Sequence, residues 1–227
     1  MKISEIFYSI QGEGILAGVP SVFIRFSGCN LRCVWCDTPY SSWQPEGEDI
    51  TLDSVLQRVR EQNAKHVVIT GGEPMMFEEI VALTAALREM GLHITIETAA
   101  TVHHPVACDL MSLSPKLANS TPLDREGGRW VAQHERLRHQ PEVLKRLMSE
   151  YPYQLKFVVS RPEDLNEICD VLQETGAERD RVILMPEGTS TGTIRERAQW
   201  LVEICKREGF RYGPRLHVDI FGNRRGT

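Results

Sequence analysis

Cys29, Cys33 and Cys36 stand in the run Gly28-Cys29-Asn30-Leu31-Arg32-Cys33-Val34-Trp35-Cys36-Asp37-Thr38, three thiols in one short loop with no fourth close in sequence. Four thiolates normally saturate a four-iron cluster, so a loop that supplies three leaves one iron with an open position. An open position is where a bound molecule can be activated, as in catalytic zinc sites that keep one ligand place free. A structural zinc site would want a fourth Cys or His at short, regular spacing. The nearest candidates, His66 and Cys108, are distant in sequence and would have to be brought close by folding.

Other segments carry groups that such a centre could use. Gly71-Gly72-Glu73-Pro74 permits close approach of backbone, because two glycines put no side chain in the way. Gln11-Gly12-Glu13-Gly14 holds a donor and two acceptors, and Arg25 can grip a carboxylate in a two-pronged hydrogen bond that a lysine cannot imitate. Glu97 can accept from hydroxyls, and Ser114-Pro115-Lys116 and Met185-Pro186-Glu187-Gly188 add further polar turns. Taken singly, each has a plainer reading: a glycine turn, a surface ion pair, a surface carboxylate, a proline-shaped bend. Trp35, taken alone, reads as core.

These pieces need a scaffold that gathers them. Runs rich in Val, Ile and Phe alternate with helical patterns, the signature of β-α units and a parallel sheet. The expected strands cover about 21–27, 66–70, 93–98, 109–113, 154–159, 181–185 and 215–220. Helices are expected over 51–63, with Thr51 as N-cap, and over 77–90, stopping at Gly91. Ser160-Arg161-Pro162-Glu163 and Thr193-Ile194-Arg195-Glu196 read as capping boxes opening helices that end at Gly176 and Gly209. The stretch 117–152 is less regular, with Gly127-Gly128 as a surface excursion and Pro141 starting a short helix. Each chemical segment except the N-terminal one follows or ends an expected strand, and in a parallel sheet those ends share one edge.

The chain has 227 residues, 41% hydrophobic and 25% charged, enough to bury a core and expected to form a single domain over 1–227. A complete eight-stranded α/β barrel typically needs about 250 residues, so six or seven strands fit a partial, open barrel. A formal charge of −5 argues against a sequence-independent grip on nucleic acid, which needs a cationic surface. Arg211, Arg215, Arg224 and Arg225 read as a solvated basic tail that could also draw in an anionic small molecule. The opening residues lack a signal-peptide pattern and no apolar run spans a bilayer, so a cytoplasmic location with reduced thiols is expected. Cys108, Cys169 and Cys205 are scattered and read as small buried hydrophobes.

The C-x3-C-x2-C spacing, with an aromatic before the last cysteine, resembles the cluster loop of radical S-adenosylmethionine (SAM) enzymes. Gly71-Gly72-Glu73-Pro74 resembles the GGEP motif of that superfamily. The run Ile6-Phe7-Tyr8-Ser9-Ile10-Gln11-Gly12-Glu13-Gly14, then Arg25, then the cysteine loop through Thr38, resembles the 7-carboxy-7-deazaguanine synthase family along most of the chain, least across 117–152.

That resemblance implies an α/β fold of the radical SAM type, a partial open barrel of six to seven mostly parallel strands. It implies conversion of 6-carboxy-5,6,7,8-tetrahydropterin to 7-carboxy-7-deazaguanine with release of ammonia, on the route to deazapurines such as queuosine. The implied cofactors are a [4Fe-4S] cluster on Cys29, Cys33 and Cys36, SAM, and Mg2+ on Thr38; the implied partners are the pterin, a flavodoxin or ferredoxin, and a second copy of the chain. Substrate contacts carry over to Ile10, Gln11, Gly12, Glu13, Arg25 and Thr70, and His217 and Asn223 either complete the pterin pocket or cap a final strand. SAM contacts carry over to Trp35, Asp37, Gly72, Glu73, Glu97, Ser114, Lys116, Met185 and Glu187. The turn from Met185 to Gly188 departs from the more polar version of some relatives. No general acid or base for ammonia loss is assigned.

Two other functions share parts of the pattern. A radical SAM activase would use the same cysteine loop but would need a groove for a polypeptide instead of polar groups converging on a small heterocycle. A noncatalytic iron–sulfur or zinc module would need a fourth protein ligand.

Overall fold

The computed structural model describes all 227 residues. One sheet runs through it, in the order β3 (Glu48–Asp49), β1 (Lys2–Ile10), β2 (Pro20–Phe26), β4 (His66–Gly71), β5 (His93–Thr98), β6 (Leu110–Leu113), β7 (Tyr153–Val159), β8 (Val182–Pro186) and β9 (Arg211–Tyr212). From β2 to β9 every pairing is parallel, and β1 lies antiparallel to both β2 and β3. The edge strands β3 and β9 do not pair with each other, so the barrel stays open.

The central strands are apolar along their length because they are covered on both faces, as parallel sheets require. Val67, Val68 and Ile69 of β4, Ile94 and Ile96 of β5 and Leu155 and Phe157 of β7 are all buried. Helices α2 (Leu52–Glu61), α3 (Glu79–Glu89), α6 (Asp164–Thr175) and α7 (Thr191–Glu208) each bury a stripe at helical spacing, such as Val55, Leu56 and Val59. Thr51 caps α2 by accepting from the Ser54 N–H at 3.2 Å. Gly176 and Gly209 end α6 and α7 in the left-handed conformation, with φ of 69° and 73°.

Four expectations are corrected. No strand is expected before residue 21, yet Lys2–Ile10 is one; its Ser, Glu and Tyr positions interrupt the apolar pattern because this strand is covered on one side only. Residues 215–220 form no strand but the short helix α8 (Leu216–Phe221), in which only Val218 is buried; six residues are too few for periodicity to separate the two. The N-cap of α7 is Ser190, which accepts from Thr193 N–H at 3.2 Å, so the expected box lies one turn inside the helix. At α6 it is the Asp164 carboxylate that accepts the N–H groups of Ser160 and Arg161, at 2.8 and 3.1 Å.

The stretch 117–152 is more regular than expected. After two tight turns at Ala118–Ser120 and Arg125–Gly128 come α4 (Val131–Arg138) and α5 (Pro141–Glu150), and Pro141 does open its helix. A four-residue helix, α1 (Pro39–Ser42), follows the cysteine loop directly.

Candidate active site

The carboxyl ends of β2, β4, β5, β6, β7 and β8 meet the loop after β1 and the start of α8 around one cavity of about 250 Å³. All three loop cysteines line it. Cys33 is buried, and Cys29 and Cys36 are half-buried. Leu31, Cys33 and Ala99 pack together, with Trp35, Cys29, Cys36 and Leu137 against them, so the mouth of the loop is walled by apolar atoms.

The loop is held from outside by the segment 117–138. His134, buried in α4, accepts the Arg32 N–H on Nδ1 at 3.1 Å, and the Ser120 carbonyl accepts the Val34 N–H at 2.8 Å. Those two amides flank Cys33. The Trp35 indole N–H donates to the Asn119 carbonyl at 3.0 Å, and the Trp43 indole N–H donates to the Cys33 carbonyl at 2.9 Å. Burial pushes the His134 imidazole down to about 4, so it stays neutral and able to accept.

Burial also pushes the Cys33 thiol up to about 12 and raises Cys29 and Cys36. Cysteine binds metal as the thiolate, so a cluster held here would displace those protons on binding. Three cysteines on one cavity suit a four-iron cluster that leaves one iron open to a bound molecule.

Beside the cysteines, the turn after β4 approaches the backbone so closely that a Cβ on Gly72 would fall 2.0 Å from the Gly28 carbonyl oxygen and 2.6 Å from that of Ser41. Glu73, grouped with the SAM contacts, does not line the cavity. Its fully buried carboxylate accepts from Thr98 Oγ1 and Ala99 N–H, both at 2.7 Å, and from Met75 N–H at 3.0 Å. It ties the end of β4 to the end of β5. Glu97, Ser114, Lys116, Trp35, Asp37, Met185, Glu187 and Thr38 all face the cavity. The Lys116 ammonium donates to the Ser114 carbonyl and hydroxyl at 2.8 and 2.7 Å, and Arg197 holds the Glu187 carboxylate. Thr38 offers one hydroxyl oxygen, a hard donor of the kind Mg2+ takes in small number beside substrate and water.

The other wall is polar. Gln11 donates from Nε2 to Glu97 at 3.2 Å and accepts the Glu13 N–H on Oε1 at 3.1 Å, while Thr70 Oγ1 donates to Glu97 at 2.9 Å. Burial alone would raise the Glu13 carboxyl, but Lys156 and Arg215 outweigh it and hold it well below the usual carboxylate range. Arg25 donates from Nε to Glu5 at 2.6 Å, and its two Nη groups carry no protein hydrogen bond. Ile10, Gly12, His217 and Asn223 complete this wall; the His217 ring sits where a Cβ on Gly12 would fall, and the Leu216 N–H donates to the Gly12 carbonyl at 2.9 Å.

Residues 23–117 match the family model of the radical SAM superfamily. A 7-carboxy-7-deazaguanine synthase of Rhodopirellula baltica is 47% identical over 228 residues, covering 100% of this chain and 89% of that protein. The same enzyme of Halobacterium salinarum is 43% identical, covering 98% and 91%. This chain belongs to the 7-carboxy-7-deazaguanine synthase family. Membership makes it a radical SAM enzyme whose cofactors include a [4Fe-4S] cluster and SAM. The crystal structure of QueE from Escherichia coli superposes with a TM-score of 0.67 at 27% identity, covering 93% of this chain and 92% of that one. Streptococcus suis SuiB bound to S-adenosylmethionine, at 16% identity and a TM-score of 0.53, shares the fold; it covers 84% of this chain and 51% of that one.

Of the site residues expected for this family, only Glu73 lies outside the cavity lining. The structure adds Lys156, Arg215, Glu5 and Tyr40. Lys156 lies in β7 with its ammonium on Glu13 and 3.8 Å from Glu97. Arg215, expected in a solvated tail, is 5% exposed and binds Glu13, Asp37 and the Gly188 carbonyl. Glu5 takes the Tyr40 hydroxyl at 2.9 Å as well as Arg25. A lysine flanked by Leu155 and Phe157 inside a strand was the one signal for Lys156. Arg225 is likewise no free tail residue, since it donates to Glu46 at 2.9 Å and to the Ser4 carbonyl at 3.0 Å.

Proposed function

We propose that this chain converts 6-carboxy-5,6,7,8-tetrahydropterin to 7-carboxy-7-deazaguanine with release of ammonia, on the route to deazapurines such as queuosine. One observation carries the reading: Gln11, Glu13 and the free Nη edge of Arg25 face the same cavity as the three cysteines. A pterin presents N–H donors beside a carbonyl, which a carboxylate and an amide match. Glu13, held ionised by Lys156 and Arg215, accepts those N–H groups, and Gln11 stands beside it. Arg25 binds the substrate carboxylate with its two Nη groups while Glu5 and Tyr40 fix the plane of its guanidinium.

Cys29, Cys33 and Cys36 hold the cluster, and Trp35, Gly72, Glu97, Ser114, Lys116 and Met185 surround SAM. Cluster and SAM together supply, when bound, a hydrogen-abstracting adenosyl radical. Glu97 accepts from the ribose hydroxyls and Thr70 orients it. The apolar wall of Leu31, Ala99 and Trp35 keeps water from the reacting carbon, and the polar wall keeps the pterin from turning. Thr38 gives Mg2+ its protein oxygen. A one-electron carrier such as flavodoxin or ferredoxin supplies reducing equivalents, two copies of the chain associate, and the enzyme works in the cytoplasm. The structure contains no helix long and apolar enough to cross a membrane.

The test is anaerobic loading with iron and sulfide, then incubation with SAM, reductant, Mg2+ and the carboxytetrahydropterin. A product with the deazapurine spectrum is expected. SAM cleavage without that product, stimulated by a protein that carries a glycyl radical, would instead make the chain an activase.

A further inference from the structure

We infer that the Ser42 hydroxyl raises the reduction potential of the cluster through a hydrogen bond to the Cys36 sulfur, which makes the cluster easier to reduce. The inference rests on the reading that Cys29, Cys33 and Cys36 hold that cluster. Ser42 Oγ lies 3.0 Å from Cys36 Sγ. The side chain is 3% exposed, lines the cavity and has no other hydrogen-bond partner. A buried hydroxyl with a single partner is committed to it.

A thiolate bound to iron offers lone pairs only, so in the loaded protein Ser42 must be the donor. The sulfur of Cys29 receives a longer contact, from the Leu31 N–H at 3.4 Å, and Thr38 Oγ1 stands 3.9 Å from Cys36 Sγ. The Ser42 bond is thus the closest side-chain donor to a cluster sulfur. An electron added to the cluster spreads negative charge onto its sulfurs. A donor aimed at one of them stabilises the reduced state more than the oxidised one, and the potential rises.

The position is held from two sides. Ser41, next to it in α1, donates from Oγ to the Thr38 carbonyl at 2.9 Å, and the Gly28 N–H donates to the Ser41 carbonyl at 2.8 Å. Helix α1 is therefore fastened to the start and the end of the cysteine loop, which fixes the Ser42 backbone beside Cys36. Nearby, the Asp37 carboxylate works in the opposite direction, although Arg215 neutralises it. Of the two hydroxyls at that sulfur, Ser42 is the nearer and Thr38 the farther.

The experiment is an anaerobic redox titration of the cluster-loaded protein, read by the electron paramagnetic resonance signal of the reduced cluster, for the native chain, Ser42→Ala and Ser42→Thr. At the native midpoint, Ser42→Ala is expected to lower the ratio of reduced to oxidised cluster about threefold to tenfold, a shift of about 30–60 mV, with iron content unchanged. Ser42→Thr, which keeps the hydroxyl, is expected to restore the ratio. An unchanged ratio in a fully loaded Ser42→Ala protein overturns the inference. Should that variant lose iron, Ser42→Gly removes the hydroxyl without adding a ligand and must show the same lowered ratio; a native-like ratio in the loaded variant overturns the inference. A native chain that takes up no cluster sinks the reading of the three cysteines instead.

Discussion

The Lys156 ammonium bridges Glu13, from the loop after the first strand, and Glu97, from the end of the fifth, with its hydrogen bond on Glu13 and Glu97 at 3.8 Å. Gln11 closes the ring, accepting the Glu13 N–H and donating to Glu97. The carboxylate proposed for the pterin and the one proposed for the SAM ribose thus share one cation.

Replacing Lys156 by Met leaves Arg215 as the one cation bonded to Glu13, with both carboxylates half-buried. Breaking a buried pair by removing one partner costs about 3–5 kcal/mol. Side-chain exposures of 6% and 13% for Lys156 and Glu13 put this pair in that class. The expected loss of about 3 kcal/mol is read by urea unfolding; a loss below about 0.5 kcal/mol, typical of surface substitutions, would mean the ammonium is effectively solvated.

Arg25→Ala is expected to weaken substrate binding at least tenfold, the loss of a charge-assisted pair of hydrogen bonds. Arg25→Lys should not restore it, because an ammonium cannot fill two parallel bonds while also serving Glu5. Iron content should match the native chain. Equal loss of iron and of substrate binding would argue that Arg25 acts on the fold and not on the ligand.

Gly72→Ala would place a methyl group within 2.0 Å of the Gly28 carbonyl, beside the first cysteine. The backbone on both sides is hydrogen-bonded, the Glu73 N–H to that same carbonyl at 2.9 Å, so the clash is relieved only by shifting the cysteine loop. Expected are a stability loss of about 1–3 kcal/mol, as for overpacking, and a reduced yield of iron per chain. Retention of both would show that the turn has room to spare.

His134 predicts a pH dependence. Its folded value, about 4, lies below the ordinary 6.5, so between those limits the unfolded chain binds more protons than the folded one. Stability therefore falls as the solution is acidified from 6.5 to 4, by roughly 3 kcal/mol if the whole shift is realised. Chemical denaturation across that window should show the slope, and His134→Gln, which can still accept from the Arg32 N–H, should flatten it. An unchanged slope would assign the acid sensitivity to other groups.

Much of the architecture was legible because the buried parallel strands are continuous apolar runs, and β4, β5, β7 and β8 stand within one residue of their expected bounds. Motifs at the ends of those strands followed from the same alternation. What escaped was whatever depends on partners far away in the chain. Strand β1 is covered on one face and carries no clean pattern. Arg215 looks like any basic residue near a chain end until Glu13 and Asp37 are brought to it from across the sheet. The residues 117–138 showed no motif, since they grip the cysteine loop through backbone groups and scattered polar side chains such as His134, Gln133 and Asn119.

The first strand and the last helix build one wall together, joined where the Leu216 N–H meets the Gly12 carbonyl. The cysteine cradle and its clamp, by contrast, are complete between residues 20 and 138. The metal nest is thus a local product of neighbouring segments, whereas the specificity wall exists only where residues 202 positions apart, Glu13 and Arg215, are brought into contact.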